Sequence, residues 1–124
     1  MSPWAWAAFV VAGAVGAPLR YLLDGAVQSR ANSAFPWGTF IVNISGSLLL
    51  GFLTGLALYH AFPDTPRIIL GTGFCGAYTT FSTFSFETVQ LLEEDAKLEA
   101  FLNAFGTLAA GASAAALGLA LASI

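Results

Sequence analysis

The sequence predicts an all-α membrane protein of four transmembrane helices, the third broken near its middle. Three observations predict it. The first is composition: of 124 residues, 57% are hydrophobic and 9% charged, with a mean hydropathy of +0.78. An ordinary soluble domain is about a quarter charged, so this chain lacks the polar residues to cover itself in water, and a bilayer is its better solvent. The second is the division into four apolar segments, each reaching the roughly 20 residues that a helix needs to cross a bilayer. The third is the run GAYTTFSTFSFE at 76–87. There Thr79, Thr80, Ser82, Thr83 and Ser85 are threaded among Phe81, Phe84 and Phe86, inside an otherwise lipid-like helix.

The four segments are expected at about 4–23, 37–59, 67–92 and 98–122, within a single membrane domain spanning 1–124. The links hold the turn and charge signals, at Asp24 to Pro36, His60 to Pro66 and Glu93 to Lys97. Trp4, Trp6, Trp37 and Tyr59 fall near segment ends, where amphipathic rings favour the membrane interface. The N-terminus, MSPWAWAAFVV, has no basic stretch before its apolar run and no clear cleavage site, so the first segment is expected to stay as a helix. Small residues recur every four positions: Ala12 and Gly16; Ser47, Gly51 and Gly55; Gly106, Ala110, Ala114 and Gly118. Such ladders let helix backbones approach closely in lipid. The basic residues are few: Arg20, Arg30 and Lys97 fall on one side and Arg67 on the other. The split is three to one, or two to one with Arg20 drawn into the protein interior, a weak bias that reflects either inexact segment ends or insertion both ways round, which would permit an antiparallel dimer.

Each polar anomaly has a structural and a functional reading. Within 76–87, Ser and Thr can bond back to carbonyls one turn earlier and keep the helix continuous. However, Gly71, Gly73 and Gly76 precede β-branched Thr79, Thr80 and Thr83, and both residue types lower helix propensity. A break at about 76–80 is the expectation; carbonyls exposed there can coordinate a small cation. Phe81 and Phe84 share a helical face, with Ser82 and Ser85 beside them. The positive edge of an aromatic ring can contact an anion without a full charge nearby. Asn43 can glue helices together or offer amide donors. Asn103 and Thr107 form a short stripe that serves either interhelical bonding or an ion path. Arg20, two residues after a possible kink at Pro18, is either a snorkelling end residue or a positive charge at a pore entrance, with Asp24 near enough to pair with it. Glu87 is expected near the interface, Glu93, Glu94, Asp95 and Glu99 in a solvated acidic region, and Cys75 and His60 as a buried apolar residue and a helix-end residue.

GAVGAPLRY in the first segment, PWGTFIVNISGSLLLGF in the second and GFCGAYTTFSTFSFE in the third follow one another in a chain that resembles the Fluc (CrcB-type) fluoride channel family along nearly its whole length. The resemblance implies no enzyme but a fluoride-selective channel. It implies a multi-pass protein of the bacterial inner (plasma) membrane that exports cytoplasmic fluoride passively and so relieves fluoride toxicity. It implies an inverted, dual-topology homodimer with two pores and no nucleic-acid partner. Carried onto this sequence, Asn43, Phe81 and Phe84 line the fluoride path, Ser82 and Thr83 sit beside it, and Asn103 and Thr107 belong to a polar track. Arg20 lies at the entrance, and the Gly76 and Thr79 carbonyls hold a central structural Na⁺. Asn103 and Gly111 depart from the tyrosine or serine usual along that track. A proton-coupled exporter of the small multidrug resistance kind needs a carboxylate in the first helix, which has none before Asp24. A non-transporting assembly protein, with the polar groups as glue alone, predicts no ion flux.

Overall fold

The computed structural model describes residues 1–124, all helical apart from short links. Helix α1 spans Pro3–Ala31 and α2 spans Trp37–His60. The third segment is a stack of α3 (Asp64–Ile68), a π-helical stretch (Ile69–Cys75), α4 (Gly76–Tyr78) and, after a break, α5 (Phe81–Glu93). The fourth comprises α6 (Lys97–Phe101), a π-helical stretch (Leu102–Gly106) and α7 (Thr107–Ala122). Three of the four, Pro3–Ala31, Trp37–His60 and Lys97–Ala122, are each long and apolar enough to cross a membrane. The third is divided: the 13 residues of α5 rise only about 20 Å, short of the roughly 30 Å hydrocarbon layer.

Local chemistry sets the ends. The Ser2 hydroxyl caps α1 by accepting the Ala5 N–H at 3.1 Å, with Pro3 at the first helical position. The helix runs through Pro18 and beyond the expected end at Leu23 to Ala31, where Asn32 turns into the left-handed region with φ 46°. The residues expected as a link, from Asp24 on, keep good helix formers among their polar ones, so the helix emerges from the apolar layer instead of stopping at its edge. Gln28 then staples the short turn that follows. Its Nε2 donates to the carbonyls of Ser33 (3.1 Å) and Phe35 (3.2 Å), and its Oε1 accepts the Gly38 N–H (3.1 Å). One side chain thus satisfies three backbone groups that a turn at the membrane surface leaves open.

Packing depends on small residues. α2 lies centrally, against α1, the third segment and α7. A methyl group at Gly51 or Gly118 would overlap backbone of the facing helix, Ala115 for the first and Leu48 with Phe52 for the second; at Gly55 it would come within 2.6 Å of the Ala122 Cβ. The second-segment ladder therefore serves as expected. The fourth-segment ladder serves only at Gly118: the face of α7 turned to α2 carries Ala115, Gly118 and Ala122, whereas Gly106 has nothing within 4 Å of its Cβ position. Four-residue spacing drifts around a 3.6-residue helix, and the π-helical turn rotates Gly106 further off the stripe. α1 meets the third segment through Gly16, where a Cβ would sit 2.6 Å from the Phe74 carbonyl oxygen, and through Gly73, 3.1 Å from that of Phe9.

Only 20 of 124 residues are buried, so most of the apolar surface faces outward. Trp4 is 85% exposed, and Leu108, Leu58 and Val10 are open too, an arrangement that lipid tolerates and water does not. Gly118→Ala is expected to force α2 and α7 apart and cost about 1–3 kcal/mol, seen as earlier thermal unfolding in detergent. Gly25→Ala, with open space at its Cβ, is expected to leave stability unchanged or slightly raised.

Candidate functional site

The third segment breaks where its glycines and β-branched residues foretold. After Tyr78 the backbone turns extended, with ψ 162° at Thr79 and φ −147°, ψ 123° at Thr80. Such a break inside an apolar layer strands backbone polar groups unless protein supplies partners. Asn43 on α2 supplies two. Its Oδ1 accepts the Thr80 N–H at 2.9 Å, and its Nδ2 donates to the Thr80 carbonyl at 3.1 Å. The interhelical reading of Asn43 is thus met in a specific form, with the backbone at the break as its partner. One Nδ2 hydrogen remains for another acceptor.

The same contacts leave carbonyls at the break without helical donors, those of Gly76 and Thr79 among them. In a continuous helix the Thr80 N–H would bond Gly76 and the Thr83 N–H would bond Thr79. Here the first goes to Asn43, and the second goes to the Thr80 Oγ1 at 3.1 Å, which caps α5. The Gly76 and Thr79 carbonyls have therefore lost their helical donors, and open space lies beside Gly76. Thr79 turns both its N–H (2.9 Å) and its hydroxyl (2.8 Å) back to the Cys75 carbonyl. Ser82 and Thr83 join the cap: the Thr80 hydroxyl donates to the Thr83 Oγ1 at 3.1 Å and lies 3.4 Å from the Ser82 Oγ.

Phe81 and Phe84 follow on α5, with ring centroids 5.8 Å apart and planes tilted by 43°. Phe84 is half-buried, whereas Phe81 is 80% exposed. Both border a cleft of about 760 Å³ that also touches Asn43, Gly76, Thr79 and Thr107. No charged residue lines it. The structure thus brings six of the sequence-predicted site residues around one space. Ser82, Thr83, Asn103 and Arg20 lie outside its lining.

Asn103 sits fully buried behind it. Its Nδ2 donates to the Thr88 Oγ1 at 2.8 Å, and its Oδ1 accepts the Thr107 hydroxyl at 3.3 Å. The Thr88 hydroxyl in turn donates to the Phe84 carbonyl at 2.8 Å. Thr88 was missed in the sequence, although it continues the Phe81–Phe84 face at helical spacing. The π-helical turn from Leu102 to Gly106 carries Asn103, and such turns often re-aim side chains where a helix does work.

Arg20 is half-buried on α1, and its Nε has no hydrogen-bond partner. The expected pairing with Asp24 is not formed: the ion pairs are Arg67–Asp64 at 3.1 Å and Lys97–Asp95 at 3.7 Å. Asp24 instead packs its carboxylate into the space left by the missing side chain of Gly38. Glu87 is half-buried, with Oε1 shut off and unpartnered, as is the Thr39 Oγ1. Cys75 is buried and His60 exposed at the end of α2, both as expected.

Comparison with known proteins identifies the family. A family profile described as "CrcB-like protein, Camphor Resistance (CrcB)" matches residues 7–119. The fluoride-specific ion channel FluC 1 of Frankia casuarinae is 49% identical over 122 residues, covering 94% of this chain and 95% of that protein. FluC 1 of Streptomyces avermitilis is 51% identical over 111 residues, covering 89% and 90%. FluC 2 of Mycobacterium tuberculosis is 44% identical over 113 residues, covering 91% and 86%. These relatives bear the names of channels, not enzymes, and three bilayer-length helices make this chain a multi-pass membrane protein. With a family match from residue 7 to 119 and relatives near half identity along almost the full length, the chain belongs to the CrcB family.

Proposed function

We propose that the chain is a fluoride-selective ion channel that lets cytoplasmic fluoride leave passively, and that it works as an inverted homodimer with two pores. The observation that carries this reading is the cleft at the helix break, bordered by amide and hydroxyl groups and two aromatic rings, with no formal charge. Fluoride is small and strongly hydrated, so a dry path is a large barrier to it. Asn43 offers its free amide hydrogen in place of some waters, Thr107 borders the path with its one proton already given to Asn103, and the Phe81 and Phe84 edges add a weak positive potential. None binds so tightly that the ion is trapped, which conduction requires. Hydrogen-bond donors approach the smaller fluoride more closely than chloride and so favour it.

The roles follow from position. Ser82 and Thr83, tied into the cap, hold the start of α5 beside the path. Asn103 aims the Thr107 hydroxyl through their shared bond. Arg20, half-buried with its Nε unpartnered, serves the entrance as a fixed cation. A cleft that leaves Phe81 so open on one face calls for a covering surface, and a second copy in the opposite orientation supplies one. The three-to-one split of basic residues supports that orientation, because it directs insertion only weakly. The Gly76 and Thr79 carbonyls, without their helical donors, fit a small hard cation such as Na⁺. A bound Na⁺ would be held by these carbonyl oxygens and would supply positive charge at the break; the chain's own part is to present the oxygens there.

Purified protein in liposomes is expected to release fluoride, followed with a fluoride electrode, while chloride is retained. Equal chloride release, or no release of either ion, overturns the reading.

A further inference from the structure

We propose that the hydrogen bond between Tyr78 and Ser45 is a positioning contact that sets how tightly the helix break holds Na⁺. The proposal rests on the reading of the Gly76 and Thr79 carbonyls as its ligands.

Tyr78 is the last helical residue before the extended Thr79. It is 6% exposed, and its ring stacks on Phe74 with centroids 5.5 Å apart and planes 13° from parallel. Its hydroxyl lies 2.8 Å from the Ser45 Oγ. The Ser45 hydroxyl spends its one proton on the Val42 carbonyl at 3.1 Å, so Tyr78 is the donor to Ser45. Gly46 completes the seat: a Cβ there would come within 3.3 Å of the Tyr78 ring and collide with the Thr79 methyl.

Thr79 is therefore held from both sides by one short stretch of α2. Ser45 and Gly46 fix the residue before it, and Asn43 fixes the residue after it. The peptide between these two clamps bears the Thr79 carbonyl. Metal–ligand distances are confined to about ±0.2 Å, so a carbonyl ligand that wanders costs affinity. The Tyr78 side chain points to α2 and does not line the cleft. It acts through the backbone and is not itself a ligand. A tyrosine with a hydroxyl partner one helix away gives the break a strut that a phenylalanine of the same shape lacks.

The test uses the full-length protein in detergent, with thermal unfolding followed as sodium chloride replaces choline chloride at constant ionic strength. The wild type is expected to gain stability with Na⁺. Tyr78→Phe keeps the ring and its stacking, and its half-saturating Na⁺ concentration is expected to rise about three- to tenfold, the range for losing one neutral hydrogen bond. Ser45→Ala is expected to give a similar rise, and the double variant little more, because both remove the same contact. It also reports in place of Tyr78→Phe should that variant not fold. A purely structural role lowers the melting temperature at every Na⁺ concentration and leaves half-saturation unmoved, which overturns the proposal alone. A wild type whose stability ignores Na⁺ overturns both the proposal and the cation reading. Fluoride efflux from the same preparation separates either failure from a failure of the channel reading.

Discussion

Phe84→Ile is expected to abolish fluoride flux in liposomes while the protein stays folded and assembled, and Phe81→Ile to do the same. Isoleucine keeps an apolar side chain of adequate bulk on α5, so packing changes little. What it removes is the ring, with its positive edge. A small anion then meets an apolar wall in a water-poor space, where an uncompensated charge is far more costly than in water. Each 1.36 kcal/mol added to a barrier slows passage tenfold, so a loss of even about 3 kcal/mol cuts flux more than a hundredfold. Phe84 is half-buried beside Asn43 and Thr107 along the cleft, and its carbonyl is tied to Thr88, so its ring is the more firmly placed. Phe81 is largely uncovered in the single chain, and under the dimer proposal its contribution depends on the second copy. Wild-type flux in both variants, with intact assembly by size-exclusion chromatography, removes the rings from the mechanism.

Asn43→Ala is expected to slow fluoride flux strongly and to lower thermal stability in the same preparation. The side chain does two jobs. It lends a donor to the cleft, and it satisfies both backbone groups of Thr80. Alanine leaves that N–H and carbonyl unpaired at a partly buried break, a loss of about 2–5 kcal/mol. Asn43→Asp is expected to do at least as much harm on both counts: the carboxylate still accepts the Thr80 N–H, but its second oxygen faces the Thr80 carbonyl and it sets a desolvated negative charge in an anion path. Unfolding assays and fluoride-electrode traces check both. Alanine with wild-type melting and wild-type flux shows that Asn43 neither braces the break nor conducts.

The dimer proposal bears on both experiments. Each pore ring is judged in a cleft that one copy leaves open, so assembly has to be measured alongside flux. A variant that loses flux because it loses its partner says nothing about ring edges. The stacking of Phe74 on Tyr78 and the cap at Thr80 lie within one chain, and unfolding of the isolated chain already reports on them.

Much of this protein was legible in its residue order, because lipid imposes simple local demands. A low share of charge and four long apolar runs determine that the chain is a helical membrane protein. Glycines followed by β-branched threonines place the break, and the interleaved rings and hydroxyls fall beside the cleft. These are properties of neighbouring residues and of helical spacing. Other features depended on how one helix is turned against another, and only the tertiary structure decided them. It gave Asn43 to the Thr80 backbone, and so left carbonyls at the break, those of Gly76 and Thr79 among them, without helical donors. It hid Asn103 behind the cleft with Thr88, kept Asp24 away from Arg20, and turned Gly118 instead of Gly106 toward α2. A helical residue can face any of several partners, and a rotation of one position exchanges them. Hydropathy registers that a segment is buried in the membrane, but it carries no record of that rotation.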